Sequence, residues 1–182
     1  VAITPADLAG GTAAASGALP PEQRLQHLIV TQFTDGFDGN IEGDDAPPAA
    51  WRDWLLTPHA LPALAGGPAL AWKDALAFNG PLADTTAGPA DLAILPYTSG
   101  TTGLPKCCMH THASVMHDAV ACAMWGGGTP ATIGLVVVPM FHITGLVAIM
   151  QAAVYAGSTM VVMPRWDREL AGRLISRWRV TA

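Results

Sequence analysis

In the longest uncharged stretch of the chain, apolar segments alternate regularly with glycine and proline residues. From Ala119 to Pro164 the sequence contains no Asp, Glu, Lys or Arg. Glycines, prolines and one histidine interrupt this stretch, so it lacks a run of ~20 residues suited to a membrane-spanning helix. The pattern predicts no transmembrane segment and favours the core of a globular domain.

Strand and helix patterns alternate within this core. Ile133 to Val138 is rich in β-branched residues, as expected of a strand covered on both faces. Gly145 to Ala156 predicts a buried helix, and Thr159 to Met163 predicts the next strand. Asp167 is placed to cap a further helix. The apolar positions of that helix are Leu170, Leu174, Ile175 and Trp178. This order predicts an α/β fold, with a mixed or parallel sheet and covering helices.

The first half of the chain is less regular. The sequence predicts a weak Ala/Gly-rich helix over 5–18, a strand over 28–33 and one or two helical turns over 51–56. Residues 34–50 and 57–70 are predicted to be loop-rich, and residues 92–182 form the α/β core that carries the motifs. The acidic residues of the first loop miss the spacing of an EF-hand, which favours a solvated loop over a calcium site.

Charge and cysteine content narrow the functional classes. The 182 residues carry a formal net charge of −5, which argues against nucleic acid as a partner. Three cysteines make no disulfide framework and favour a reducing compartment, the cytoplasm. The chain begins at Val1 without an initiator Met and stops at Ala182 as an apolar segment begins, which predicts a fragment. The oligomeric state stays open, with a homodimer among the alternatives.

A segment rich in glycine and hydroxyl groups separates two predicted strands, Leu92 to Tyr97 and Lys106 to His110. Glycines allow backbone N–H groups to approach an anion, hydroxyl groups add donors, and Lys106 adds charge. The candidate phosphate ligands are Thr98, Ser99, Gly100, Thr101, Thr102, Gly103 and Lys106. On composition alone, an ordinary polar hairpin loop fits equally well. A Walker loop does not fit, because Pro105 rather than Gly precedes Lys106.

Two motifs carry a resemblance to a known family. Leu95 to Lys106 resembles the AMP-binding signature of the adenylate-forming superfamily of acyl-CoA synthetases, luciferases and nonribosomal adenylation domains, at all of its twelve positions. Val138 to Gly145 is similar to the family's Pro-x-Phe-His-x-x-Gly stretch. Met163 to Asp167 resembles the corresponding segment of the family members that activate fatty and other carboxylic acids. The resemblance covers about residues 85–182 well, and residues 1–84 only in general layout.

The resemblance implies part of the large N-terminal domain of an AMP-forming acyl-CoA synthetase. ATP with Mg²⁺ would activate a carboxylic acid, here expected to be a fatty acid, as an acyl-adenylate, and coenzyme A would then accept the acyl group. The loop from Thr98 to Lys106 would bind the ATP phosphates. Phe141, His142 and Gly145 would shape the acyl site, with His142 as the candidate catalytic residue. A C-terminal domain is not expected within these residues, so the isolated chain is expected to be inactive.

Two alternatives stay open at this point. One is an adenylation domain of another adenylate-forming enzyme, and the other is a degenerate, non-catalytic nucleotide-binding module. The second is suggested by Cys107, which stands where the family usually has Gly. If that position needed positive φ or a close approach of the backbone to phosphate, a side chain would cost ~1 kcal/mol or more and weaken ATP binding.

Cysteine and histidine residues follow the loop directly. If Cys107 to His112 formed one strand, then Cys108, His110 and His112 would share a face and could bind zinc or copper. No second pair of donors completes a tetrahedral set, so we expect no metal site. His112 and His117 are interpreted as polar residues near the start of a helix.

Overall fold

The computed structural model of the protein describes residues 1–36, 43, 46–81, 84–100 and 103–182. The described residues fall into two compact units, the first built on residues 1–36 and 46–81 and the second on residues 84–182. Each unit has its own sheets and helices. The motifs identified above all lie in the second unit, except that Thr101 and Thr102 lie outside the described residues.

The first unit is built around a three-stranded parallel sheet. Strands β1 (Ala2–Pro5), β2 (Leu28–Thr31) and β3 (Ala69–Ala71) lie in the order β1-β2-β3. Helix α1 (Ala6–Gly17) connects β1 to β2, and a 3₁₀ turn (Pro21–Gln23) follows it. A second 3₁₀ turn (Ala49–Trp51) leads into α2 (Arg52–Leu56), and α3 (Trp72–Leu76) follows β3.

Small side chains on one face of α1 bring the helix close to the sheet. Ala9, Ala13 and Ser16 recur at helical spacing and are buried, and the two alanines share a core with Leu28 and Val30 of β2. The Ser16 hydroxyl accepts a hydrogen bond from the Leu25 backbone N–H at 2.9 Å. The helix is therefore held by close packing and this bond, although it contains two adjacent glycines.

The second unit begins with one long, interrupted hairpin. Strand β4 (Leu92–Ile94) pairs antiparallel with β7 (His110–Thr111), and β5 (Tyr97–Thr98) pairs antiparallel with β6 (Lys106–Cys107). The hairpin leads directly into α4 (His112–Trp125), where the Thr111 hydroxyl caps the helix by accepting from the Ser114 N–H at 3.2 Å. The loop between β5 and β6 is therefore the tip of a hairpin anchored to a long helix.

A strand–helix–strand unit completes the fold. Strand β8 (Ile133–Val136) pairs in parallel with β9 (Thr159–Val162). Between them lies a π-helical segment (Thr144–Gln151) that continues into α5 (Ala152–Ala156). Val147 of the π-helical segment packs against Val115 and Ala119 of α4 to form the core. At the other edge of β8, the Ala182 carbonyl accepts from the Leu135 N–H at 3.0 Å.

The predicted α/β class is confirmed, with mixed parallel and antiparallel pairing, while several element boundaries differ. The strand predicted over Leu92 to Tyr97 is broken, since Pro96 has no N–H to donate to a ladder. The strand predicted over Lys106 to His110 is split into β6 and β7. The helix predicted from Gly145 begins at Thr144 with π geometry. Among the described residues, no helix is both long and apolar enough to cross a bilayer.

The last helix, α6 (Arg168–Trp178), shows the predicted cap and part of the predicted buried face. The Asp167 carboxylate accepts from the Leu170 N–H at 2.8 Å. Leu170 and Leu174 are buried, whereas Ile175 and Trp178 are 45% and 46% exposed. The predicted apolar face is therefore wider than the face that the helix buries in this structure.

We expect Asp167→Ala to lower the free energy of unfolding by ~1 kcal/mol, because the Leu170 N–H loses its side-chain acceptor at the helix start. Asp167→Asn is the matched control, since its amide oxygen can accept the same bond. Urea unfolding followed by circular dichroism measures both. An equal loss in the two variants would contradict the capping role.

Candidate functional site

The candidate phosphate loop is held at its base by a short antiparallel ladder. Tyr97 lies opposite Cys107, and Thr98 lies opposite Lys106. The Thr98 hydroxyl donates a long hydrogen bond of 3.4 Å to the Lys106 carbonyl. These contacts fix both ends of the loop, so the Thr98 hydroxyl and the Lys106 ammonium emerge at neighbouring positions of the hairpin.

Two glycines turn the chain between these ends. Gly100 has φ +64° and Gly103 has φ +141°, in the region that favours glycine. A β-carbon on Gly100 would lie 3.0 Å from the Leu104 carbonyl oxygen, because the loop folds back on itself there. The sequence-based assignment of glycine for backbone freedom therefore has a structural basis at Gly100.

The described part of the loop is open to solvent. Thr98, Ser99, Leu104 and Lys106 are exposed, and Gly100 is half-buried. Hydroxyl groups, a lysine and a glycine-rich turn are the donor set that binds phosphate in proteins, and they can reach an anion here without rearrangement of a core. The described residues therefore fit a polyphosphate ligand.

The backbone conformation at Cys107 does not require a glycine. Cys107 lies in β6, paired with Tyr97, and within the described ranges Arg179 is the non-glycine residue with positive φ. The condition of positive φ is therefore not met at Cys107, and an extended strand accommodates any L side chain. The thiol is exposed, so the departure from Gly adds an accessible cysteine beside the loop.

The shared face considered for Cys108, His110 and His112 depends on one continuous strand, which does not form. His112 is the first residue of α4 rather than part of a strand, so Cys108, His110 and His112 do not alternate along one strand. Over the part of the chain that the structure describes, no group of three or more His, Cys, Asp and Glu side chains is arranged to hold a metal ion.

Three hydrogen bonds hold His142 in the turn that follows β8. Its N–H donates to the Pro139 carbonyl at 3.0 Å, and its carbonyl accepts from the Leu146 N–H at 2.9 Å. Its side chain Nδ1 accepts from the Thr144 N–H at 3.2 Å, at the start of the π-helical segment. An accepting Nδ1 places the ring proton of the neutral imidazole on Nε2. The Nε2–H is therefore the donor that His142 can offer to a ligand.

Phe141, beside it, is 91% exposed. Among the described residues, no hydrogen bond or ion pair links Phe141 or His142 to the candidate phosphate loop. The two predicted parts of the site lie in the same unit, on separate elements.

Gly145 has a structural reason to be glycine. It is buried, and a β-carbon there would overlap the carbonyl oxygen of Pro139 and crowd the Val138 carbonyl at 3.0 Å. The helix start therefore touches the backbone of the preceding turn directly. Gly145 permits this contact, which holds the turn that carries His142 against the helix start.

Among the cavities lined by described residues, two that join several elements were not anticipated from the sequence. One, of about 120 Å³, lies in the first unit beside Phe33, Trp54 and His59, where the two aromatic rings meet at a tilt of 58° with centroids 4.5 Å apart. The other, of about 270 Å³, lies in the second unit between α4, β8, the π-helical segment, α5 and β9. Both are assembled from residues far apart in sequence, so only the strand pairing could have revealed them.

We expect Gly145→Ala to destabilise the chain by ~1–3 kcal/mol, since backbone atoms of Pro139 must move to admit the methyl group. Gly172→Ala is the control, because the same methyl group in α6 meets no atom within 4 Å and gains up to ~1 kcal/mol of helix propensity. Thermal and urea unfolding compare the two. A neutral Gly145→Ala would contradict the proposed backbone contact.

The chain was compared with known protein families, curated proteins and solved structures. A model of the AMP-binding enzyme family matches residues 7–182. The long-chain-fatty-acid–CoA ligase of Bacillus subtilis is 35% identical over 95 residues, which are 50% of this chain and 17% of the relative. The 4-coumarate–CoA ligase 1 of Oryza sativa is 41% identical over 100 residues, 51% of this chain and 17% of the relative.

The 2-succinylbenzoate–CoA ligase of Bacillus licheniformis is 41% identical over 91 residues, which are 50% of this chain and 19% of the relative. The matched stretch thus spans less than a fifth of the length of each of these relatives.

Solved structures show the same fold. The O-succinylbenzoate coenzyme A synthetase of Bacillus subtilis, in complex with AMP, aligns with a TM-score of 0.58 at 22% identity, covering 93% of this chain and 38% of that chain. ATP-bound MatB from Rhodopseudomonas palustris aligns with a TM-score of 0.58 at 19% identity, covering 97% of this chain and 37% of that chain. With a family match over nearly its whole length, the chain belongs to the AMP-binding enzyme family.

Proposed function

We propose that this chain is the nucleotide-binding part of an enzyme that activates a carboxylic acid with ATP and transfers the acyl group to coenzyme A. The hairpin from Thr98 to Lys106 carries the proposal, because a glycine-dependent turn places hydroxyl groups and a lysine beside one another in a member of the AMP-binding enzyme family. Relatives that are 35–41% identical to it over about half of its length are named as CoA ligases.

The chemistry asks the protein to neutralise phosphate charge and to align a carboxylate with the α-phosphorus. We assign the first task to the loop, through Thr98, Ser99, Gly100, Thr101, Thr102, Gly103 and Lys106. Mg²⁺ would share the phosphate charge. Charge-assisted bonds from Lys106 would contribute most, because an ammonium group bonds an anion more strongly than a neutral hydroxyl does.

The acyl side is assigned to Phe141, His142 and Gly145. The His142 Nε2–H can donate to a carboxylate or adenylate oxygen, because Nδ1 is already occupied by the Thr144 N–H. The exposed Phe141 ring offers apolar surface next to that donor. His142 is therefore the proposed catalytic residue, acting as a hydrogen-bond donor to the reacting acid.

The acid is proposed to be a fatty acid, supported by the likeness to a long-chain-fatty-acid–CoA ligase. A second candidate is an aromatic acid, since the relatives named for 4-coumarate and 2-succinylbenzoate show equal or higher identity. The assay is ATP–pyrophosphate exchange by an enzyme that contains this chain within a length comparable to its relatives. Exchange stimulated by one acid and not by the others would distinguish the two candidates.

We further propose that the 182-residue chain binds nucleotide without turnover, since the relatives are several times longer than the stretch it matches. The three free cysteines support a reducing compartment, and we propose the cytoplasm.

We expect Lys106→Gln to weaken MgATP binding by roughly 10- to 100-fold, the loss of a charge-assisted bond worth ~1.5–3 kcal/mol. The chain has two lysines, so Lys73→Gln in the first unit is the matched control and should leave affinity unchanged. Titration calorimetry of the 182-residue chain with MgATP measures both. Equal affinity of the two variants would refute the phosphate-loop assignment.

A further inference from the structure

Two exposed cysteines follow the candidate loop, and the ladder places them on different faces of the hairpin. Residues opposite one another in an antiparallel ladder project to the same face, and neighbours along a strand project to opposite faces. Thr98 and Lys106 therefore define one face, which we call the Thr98 face. Tyr97 and Cys107 define the other, the Tyr97 face.

Cys108 belongs to the Thr98 face. Its N–H donates to the Pro96 carbonyl at 3.0 Å, which continues the ladder by one pair beyond Tyr97 and Cys107. The alternation then runs through Lys106, Cys107 and Cys108, so Cys108 projects to the same face as Lys106, two residues away. Both thiols are exposed, whereas Cys122 on α4 is half-buried.

We propose that Cys108 is a modification site for disulfides of small anionic thiols, and that an adduct there blocks nucleotide binding at the Thr98 face. The blocking role rests on the proposed function of the loop. An anionic adduct places negative charge and bulk beside the lysine that would neutralise the phosphates, so it opposes ATP by repulsion and by steric exclusion. Cys107 carries the same thiol on the Tyr97 face and should not block the loop.

The reaction is a thiol–disulfide exchange. The Cys108 thiolate attacks one sulfur of the small disulfide, a bond forms between Sγ and that sulfur, and the original S–S bond breaks. The second half leaves as a thiolate and takes up the proton released by Cys108. The protein thiol is oxidised and the departing half is reduced, so no further oxidant is needed.

A disulfide between the two adjacent cysteines is disfavoured by the same geometry. Their side chains project to opposite faces, and closing the ring would break the pairing of Cys107 with Tyr97 and the bond from the Cys108 N–H to Pro96. The mixed disulfide is therefore the expected product.

The test uses the 182-residue chain with glutathione disulfide as the reagent. Peptide mass mapping locates the adduct, and calorimetry measures MgATP affinity before treatment, after treatment and after reduction with dithiothreitol. Cys107→Ser and Cys108→Ser are compared with the wild type under the same conditions. Circular dichroism of the treated proteins checks that the fold is retained.

We expect wild type and Cys107→Ser to gain an adduct at Cys108 and to lose roughly tenfold in MgATP affinity, which reduction restores. Cys108→Ser should keep its affinity even with an adduct at Cys107. No adduct at Cys108, a disulfide joining Cys107 to Cys108, or an equal loss of affinity in Cys108→Ser would overturn the proposal.

Failure of the untreated wild type to bind MgATP would refute the proposed function together with the blocking role. The mass mapping would still decide whether Cys108 is a modification site.

Discussion

The contact between Gly145 and Pro139 controls the acyl half of the proposed site. Because a glycine lies at this position, the helix start can rest on the carbonyl of the preceding turn. Beside that contact, the Thr144 N–H donates to Nδ1 of the His142 ring. The orientation of the imidazole, and with it the nitrogen left free to donate, depends on the absence of one methyl group.

The loop half of the site has a different kind of support. Its described residues are exposed, and its geometry comes from the hairpin ladder and from two glycines rather than from a packed core. The hairpin is joined to a long helix whose Val115 and Ala119 are buried against the π-helical segment. A loosely packed loop on a well-anchored base suits a ligand whose charge, rather than whose shape, supplies most of the binding energy.

The sequence predicted the α/β class, the helix caps at Asp167 and the glycine-dependent loop, because each depends on local chemistry: periodicity, a carboxylate at a helix start, and backbone freedom. It did not predict the π geometry after Ile143, the break at Pro96 or the two cavities. These features depend on which backbone segments approach one another, and the sequence pattern carries no such distances. The motif likewise indicated a glycine position at Cys107 without indicating the conformation that the chain adopts there, which does not have positive φ.

Because side chains alternate between the two faces of the hairpin, the register of its strands decides which chemical groups lie beside Thr98. A strand shifted by one residue moves every side chain to the opposite face. Such a slip at β6 would remove Lys106 from the side of Thr98 and place Cys107 there instead. A slip of one residue in this register would therefore exchange a cation for a thiol beside Thr98, without altering the composition of either strand.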